Sequence, residues 1–411
     1  MPRILNLSAE LLRDIVSLVP EPGPLLKVCK IFRYLATPLV YRHISLQYLE
    51  GIEDVQPIEL LLRTIVGRPA LGALVRRLTV VMEYTYYDLL LPFSLEGIRA
   101  LVMEAAASQN LSKAIKYKLA AGCYESTLFL LLCYFPKLEV LEFDPMFTLS
   151  ADEFLSHISS SDTLPAGLQS LHTIHMTCAD SECTVQQENM FALFRLPLLR
   201  TFICFELHIK EDGRGDCVSF NGLSQFEEIT MDSTVASDRF LASMVRSTRA
   251  LRSFFYLYGA AMVNFTIFTL DFGTFIADNL GNAFRANTLH TLEDLYLIFI
   301  PPIPSTGSFG PLGQFTKLKR VTLSMSHLLG SPNQAHTLKL GELLPPSLTS
   351  LSLQYDAAWW GVGCPVILRL LETNLPRLKF LEIDGKLLAS EERMLETVCL
   401  MKGIQFIGRD V

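Results

Sequence analysis

The chain has 411 residues, half of them apolar, and 35 basic against 42 acidic side chains give a formal charge of -7 at pH 7. That length can bury a large core and is too long for one compact globule unless the globule is elongated. The negative balance disfavours nucleic acid and anionic membrane surfaces, so proteins are the expected partners.

The start, Met1 to Glu10, lacks the long apolar segment of a signal peptide, and Glu10 and Asp14 argue against a transit peptide. From Ala9 to Val19 apolar residues recur at helical spacing, Leu11, Leu12, Ile15, Val16 and Leu18 among them, with Ser8 as the N-cap. Pro20, Pro22, Gly23 and Pro24 break this helix. A second amphipathic stretch, Leu25 to Leu35, is expected to end at Thr37-Pro38, because the residue before a proline disfavours helix. Leu39 to Leu46 follows.

These residues resemble the F-box-like modules at the start of many fungal proteins. The matching elements are Leu7-x-x-Glu10-Leu11-Leu12-x-x-Ile15, Leu25-Leu26-x-Val28-Cys29-Lys30-x-Phe32-Arg33-x-Leu35-Ala36 and Pro38-Leu39-x-Tyr41-Arg42-x-Ile44. Ser8 stands where the family usually has proline, and Phe32 and Tyr41 where tryptophans are frequent. The resemblance implies an all-α module over residues 1–46. It also implies binding to a Skp-type adaptor, and through it to the cullin and RING subunits of an SCF ubiquitin ligase. It carries Leu7, Leu11, Ile15, Leu25, Val28, Cys29 and Phe32 over as adaptor-binding or module-core residues. The alternative is a helical cap over the open end of a repeat array.

Residues 47–411 read as that array. One pattern returns, an apolar residue followed three and five positions later by two more, beginning at Leu138, Leu171, Leu199, Phe226, Leu251, Leu292, Leu318, Leu348 and Leu378. Successive copies lie 25 to 41 residues apart, mostly near the period of leucine-rich repeats. Val75 to Val80 matches as an earlier unit, and Ala114 to Leu119 alternates without the consensus, giving about ten or eleven units. The last two apolar residues of each copy alternate with polar ones, as in a strand with one buried face. Helical spacing fills the gaps, as at Asp238 to Val245 and Val366 to Leu371. Phe135-Pro136, Leu196-Pro197, Leu344-Pro345 and Leu375-Pro376 stop helices ahead of strands. The expected fold class is an α/β solenoid, with parallel strands on a concave side and helices on a convex side. A buried parallel sheet with ordinary crossovers gives similar strings.

The outward strand positions are the candidate target-binding surface: Glu142, His175, Phe205, Glu228, Asp232, Phe255, Tyr296, Arg320 and Glu382. Acidic residues gather toward both ends, while Ile203, Phe205, Phe255, Leu257, Tyr296 and Ile298 make an apolar middle suited to a basic or amphipathic segment. Two loops stand out, Gly259 to Thr291 with the string Met262 to Phe268, and Pro301 to Gly313. Trp359 and Trp360, the two tryptophans, follow a strand, and core packing of at least one is expected.

Nine scattered cysteines, an odd number, indicate reduced, cytoplasmic or nuclear usage. The longest apolar run, Leu128 to Phe135, is short of the roughly 20 residues that span a bilayer. His172-x-x-His175-x-x-Cys178-x4-Cys183 fits no standard zinc spacing. No phosphate loop, nucleophile elbow or His-Glu-x-x-His occurs. The sequence therefore reads as a protein-binding adaptor with no cofactor or metal and no catalytic residues of its own. A ubiquitin-independent repeat scaffold is the alternative.

Overall fold

The computed structural model describes residues 4, 7–48, 57–82, 97–143, 150–160, 164–177, 184–210, 224–259, 275–300, 305–333, 339–355 and 357–409. Contacts gather the chain into two units, residues 1–146 with 153–176, and residues 147–152 with 177–411.

The first unit begins with helix α1 (Ala9–Ser17), whose N-cap Ser8 accepts a hydrogen bond from the Leu11 amide. A 3-10 turn at Gly23–Lys27 leads to helix α2 (Lys30–Arg42). Leu12, Val16, Phe32, Leu35 and Ala36 form their shared core, with Leu25, Leu26, Cys29 and Leu39 packed against it. Helix α2 does not stop at Thr37-Pro38 as the proline led us to expect. The hydrogen bond that Pro38 cannot make belongs to the carbonyl of Tyr34, whose side chain is exposed, so water can satisfy it. Burial of Leu35 and Ala36 on the other side holds the helix together.

Helix α2 runs directly into strand β1 (His43–Tyr48), so the end of the expected all-α module, His43 to Leu46, is strand. Strands β2 (Arg77–Met82), β3 (Val140–Phe143) and β4 (Thr173–Thr177) follow in parallel, with His43 opposite Arg77, Arg77 opposite Val140, and Val140 opposite Thr173. Parallel neighbours need long crossovers. Those between β2 and β3 include helices Arg99–Ser108, Lys113–Ala120 and Tyr124–Leu132. The stretch Ala114 to Leu119 is thus helix, not strand. Ile115 and Leu119 are buried while Tyr117 is 78% exposed, which a strand, placing all three on one side, could not do.

The second unit holds eight more parallel strands in chain order: β5 (Thr201–Phe205), β6 (Glu228–Asp232), β7 (Ser253–Tyr258), β8 (Asp294–Phe299), β9 (Arg320–Ser324), β10 (Ser350–Gln354), β11 (Phe380–Asp384) and β12 (Gln405–Arg409). Each copy of the sequence pattern leads into a strand and buries its three apolar positions, the first just ahead of the strand and the other two within it, as for Leu251, Phe254 and Tyr256 or Leu348, Leu351 and Leu353. Helices lie between the strands. Asp238–Arg246, capped by Ser237, buries Phe240, Leu241, Met244 and Val245. Ala277–Asn287 sets Phe284 edge-on to Phe254 at 5.1 Å. The Leu-Pro and Phe-Pro pairs fall just after helical segments, for example Leu344-Pro345 after Leu340–Leu343. Strand β12, outside the pattern we read, is largely exposed, as befits an outermost strand with Arg409 at its end.

Candidate functional site

Two sets of exposed or partly exposed side chains include residues that the sequence singles out. The first lies on α1 and α2. Leu11, Ile15 and Leu18, spaced four and three residues apart, form an exposed apolar stripe on α1 about 100° round the helix from Leu12 and Val16, with Leu11 52% exposed, and Leu7, just ahead of the N-cap, is exposed as well. Val28, Ile31 and Tyr34 are likewise exposed on the second helical segment, Val28 by 62%. Of the seven residues assigned to adaptor binding, Leu7, Leu11, Ile15 and Val28 are thus on the surface. Leu25 and Cys29 are half-buried against the core and Phe32 is inside it. The Arg33 guanidinium donates to the Leu26 carbonyl at 2.9 Å, fixing the turn against α2.

The second set is the open face of the strands. All nine candidate target-binding residues occupy strand positions that alternate with the buried ones, Arg320 exposed and the rest partly so. In the first unit Glu142 accepts hydrogen bonds from Arg77 at 2.8 Å and Thr79 at 3.0 Å, with His175 at 3.9 Å. Partial burial pushes the Glu142 carboxyl up, but the bonds from Arg77 and Thr79 and the adjacent positive charge outweigh it and hold it below its ordinary value. Glu142 is therefore an anion already partnered.

In the second unit Phe255 and Tyr296, opposite each other on β7 and β8, stack with centroids 4.2 Å apart and planes 10° from parallel. Asp294 is bound by Arg320, and Glu382 by Arg409 at 2.6 Å. Glu228 and Asp232 carry no ion pair among the described residues, although Ser233 donates to Asp232 at 3.1 Å. Glu206, just beyond β5, is raised by burial and further by the charge of Asp232. The apolar middle is smaller than the alternation suggested. Ile298 is buried, because strand β8 is covered on both faces from Leu297 to Phe299.

A feature the sequence reading missed sits one residue ahead of each strand. Arg200, Glu227, Arg252, Glu293 and Lys319 stand side by side at the entrances to successive strands, and the amides of Glu227, Arg252, Glu293 and Lys319 each donate to the backbone carbonyl of the preceding member at 2.7 to 2.8 Å. Their charges alternate, with Arg200–Glu227 at 3.3 Å, Arg252–Glu293 at 2.6 Å and Lys319–Glu293 at 2.6 Å. Arg76–Glu139 at 2.8 Å repeats the device in the first unit. The signal was present as the second residue of consecutive copies, Arg, Glu, Arg, Glu, Lys. Comparing copies position by position would have found it.

Other candidates resolve simply. Trp359 is buried and Trp360 is 60% exposed. His172 and His175 lie at β4, whereas Cys178 and Cys183 fall outside the described residues, as does the string Met262 to Phe268. Among the described residues no group of three or more His, Cys, Asp or Glu side chains is placed to hold a metal ion. No helix among them is long and apolar enough to cross a membrane.

Together these features define a mixed α/β protein of solenoid-like build, with parallel strands, intervening helices and an open strand face. No family model matches the sequence, and no curated protein matches it. Among solved structures the chain is similar to one described as "Crystal structure of Rad7 and Elc1 complex in yeast", at 13% identity and a TM-score of 0.30, over 100% of this chain and 98% of that one. At that score neither fold nor function passes from one chain to the other.

Proposed function

We propose that this chain is the substrate-recognition adaptor of an SCF-type ubiquitin ligase. Its N-terminal helices dock a Skp-type adaptor joined to a cullin, and its leucine-rich repeats hold a target protein on their concave, open side. The observation that carries the reading is the exposed stripe of Leu11, Ile15 and Leu18 on α1, with the exposed Leu7 just ahead of it. A helix that only caps a repeat array needs one apolar face and keeps its outer face polar. The apolar side of helix α1 is wider than its core contact covers, and the uncovered part includes Leu11 and Ile15, which the F-box resemblance assigns to the adaptor. The contribution to ubiquitin transfer is proximity, with the chemistry on other subunits. The protein works in the cytoplasm or nucleus.

A second reading has its own support. Helix α2 continues into β1, and the Arg76 amide donates to the Arg42 carbonyl at 2.9 Å, as expected of a cap built into a scaffold. Co-expression of the full chain with a Skp-type adaptor separates the two. Retention of the adaptor by wild type, and its loss in the Leu11→Asp, Ile15→Asp double variant, supports the ligase role. If wild type retains no adaptor, the scaffold reading takes its place.

A further inference from the structure

The register of the second unit lines up side chains across its strands. One row on the open face runs Thr230, Phe255, Tyr296, Thr322, Ser352 and Glu382, from β6 to β11. Phe255 covers one ring face of Tyr296. Toward the other face come Thr322 and Ser352, whose short side chains leave two strands, on the order of 10 Å, without a tall neighbour. Glu382 then stands on β11, and in the next row Gln354 is opposite Asp384. The arrangement is a trough, with an aromatic wall, a hydroxyl floor and a carboxylate wall.

Its electrostatics are one-sided. The open faces of β5 to β12 carry five carboxylates, Glu228, Asp232, Asp294, Glu382 and Asp384, against two guanidiniums, Arg320 and Arg409. Arg320 is held by Asp294 and Arg409 by Glu382. Glu228, Asp232 and Asp384 are left without an ion pair among the described residues, and the buried Oδ1 of Asp384 has no hydrogen-bond partner among them. Burial raises the Tyr296 hydroxyl, and Asp232, Asp384 and Glu382 raise it further, so carboxylates from two sides act on this one ring.

We infer that this trough docks a basic segment of the target protein, with one arginine side chain laid flat against Tyr296 and its guanidinium directed at Asp384. Charge complementarity selects a cation, and the shape selects arginine. A planar guanidinium stacks on an aromatic face while its edge donates to carboxylates and hydroxyls, which the compact ammonium of lysine does less well. The inference rests on the open strand face being the target-binding surface, and it is independent of whether α1 holds an adaptor.

The test uses the full chain and fluorescence anisotropy of a fluorescein-labelled Gly-Arg-Gly-Arg-Gly peptide, with citrulline and lysine versions as probes of charge and shape. Saturable binding to wild type is expected, weaker for lysine and absent for citrulline. Tyr296→Ala and Asp384→Asn should each weaken it roughly five-fold. Glu342→Gln, an exposed carboxylate on the helix Leu340–Leu343, should not. Circular dichroism confirms that each variant is folded. Absence of saturable binding, equal binding of the citrulline peptide, or an equal response of all three variants overturns the proposal. Because the assay contains no adaptor, its failure leaves the co-expression result untouched.

Discussion

Glu293 accepts hydrogen bonds from both Nε and Nη2 of Arg252 on the neighbouring strand, at 2.9 and 2.6 Å, and a further one from Lys319 at 2.6 Å on its other side. The bonds from Lys319 and Arg252 hold its carboxyl at about 2, against an ordinary value of 4.5. A depressed carboxylate adds stability in full above the unfolded value and loses it as the pH falls toward the folded one. Glu293→Gln should therefore lower the thermal midpoint at pH 7 on the order of 1 °C, because the ladder is solvent-exposed and screened. The difference from wild type should close between pH 4.5 and 2 and shrink in 0.5 M salt. A salt-independent difference would show that packing, not charge, sets it.

How much of this was legible beforehand depended on whether burial left a periodic trace. Leu292, Leu295 and Leu297 announce a strand because three buried positions recur at fixed spacing in every copy. The same spacing leads into strand β1, at Tyr41, Ile44 and Leu46, but there it coincides with the stretch that resembles the F-box. Strand β12 lost the pattern because an outermost strand need not bury alternate residues, and Ile407 is exposed. The segment around Ile115 misled because a spacing of four satisfies both helix and strand periods, and only Tyr117 distinguishes them. The open face was readable as a list of residues. Its pairings, Glu382 with Arg409 or Phe255 with Tyr296, depend on strand neighbours and become visible only with the register.

The buried and the exposed parts of the apolar side of α1 should respond differently to substitution. Leu12→Ala removes a buried side chain from the small core shared with Phe32 and Leu35 and should cost about 2–3 kcal/mol in the N-terminal helices. Leu11→Asp, on the exposed stripe, should change stability by no more than about 0.5 kcal/mol. Hydrogen exchange of the α1 and α2 amides reads both. Equal loss of protection would mean that the stripe is covered in solution.

Helix Ala277–Asn287 offers a case where propensity and packing disagree. Alanine is favoured over glycine in a helix interior by about 0.5–1 kcal/mol. A Cβ on Gly281, however, would meet the backbone oxygen of Phe309 at 2.2 Å and its Cα at 2.9 Å. The Arg285 guanidinium also donates to that oxygen, so the backbone there is held in place. Gly281→Ala should consequently destabilise the second unit, by about 1–3 kcal/mol. Gly341→Ala, with open space around the new methyl, should be neutral or slightly stabilising. Urea unfolding of the two variants side by side decides, and a stabilised Gly281→Ala would mean that the segment at Phe309 yields.

His327 adds a second pH dependence to the same unit. Its ring is buried between Phe275 and Phe299, with centroids at 5.8 and 4.7 Å, and its Nδ1 shares a 2.6 Å hydrogen bond with the Ser324 hydroxyl. Burial lowers it from 6.5 to about 4, so the folded protein holds a neutral imidazole. The unfolded chain takes up a proton below 6.5 that the folded one refuses until near pH 4. Stability from this residue is then complete above pH 6.5 and declines as the pH falls, by at most about 1.4 kcal/mol per unit. His327→Asn keeps a polar atom within reach of Ser324 and removes the titration. It should lower stability at pH 7 yet flatten the loss between pH 6.5 and 4, measured by urea unfolding across that range. An unchanged slope would place the proton uptake on another group.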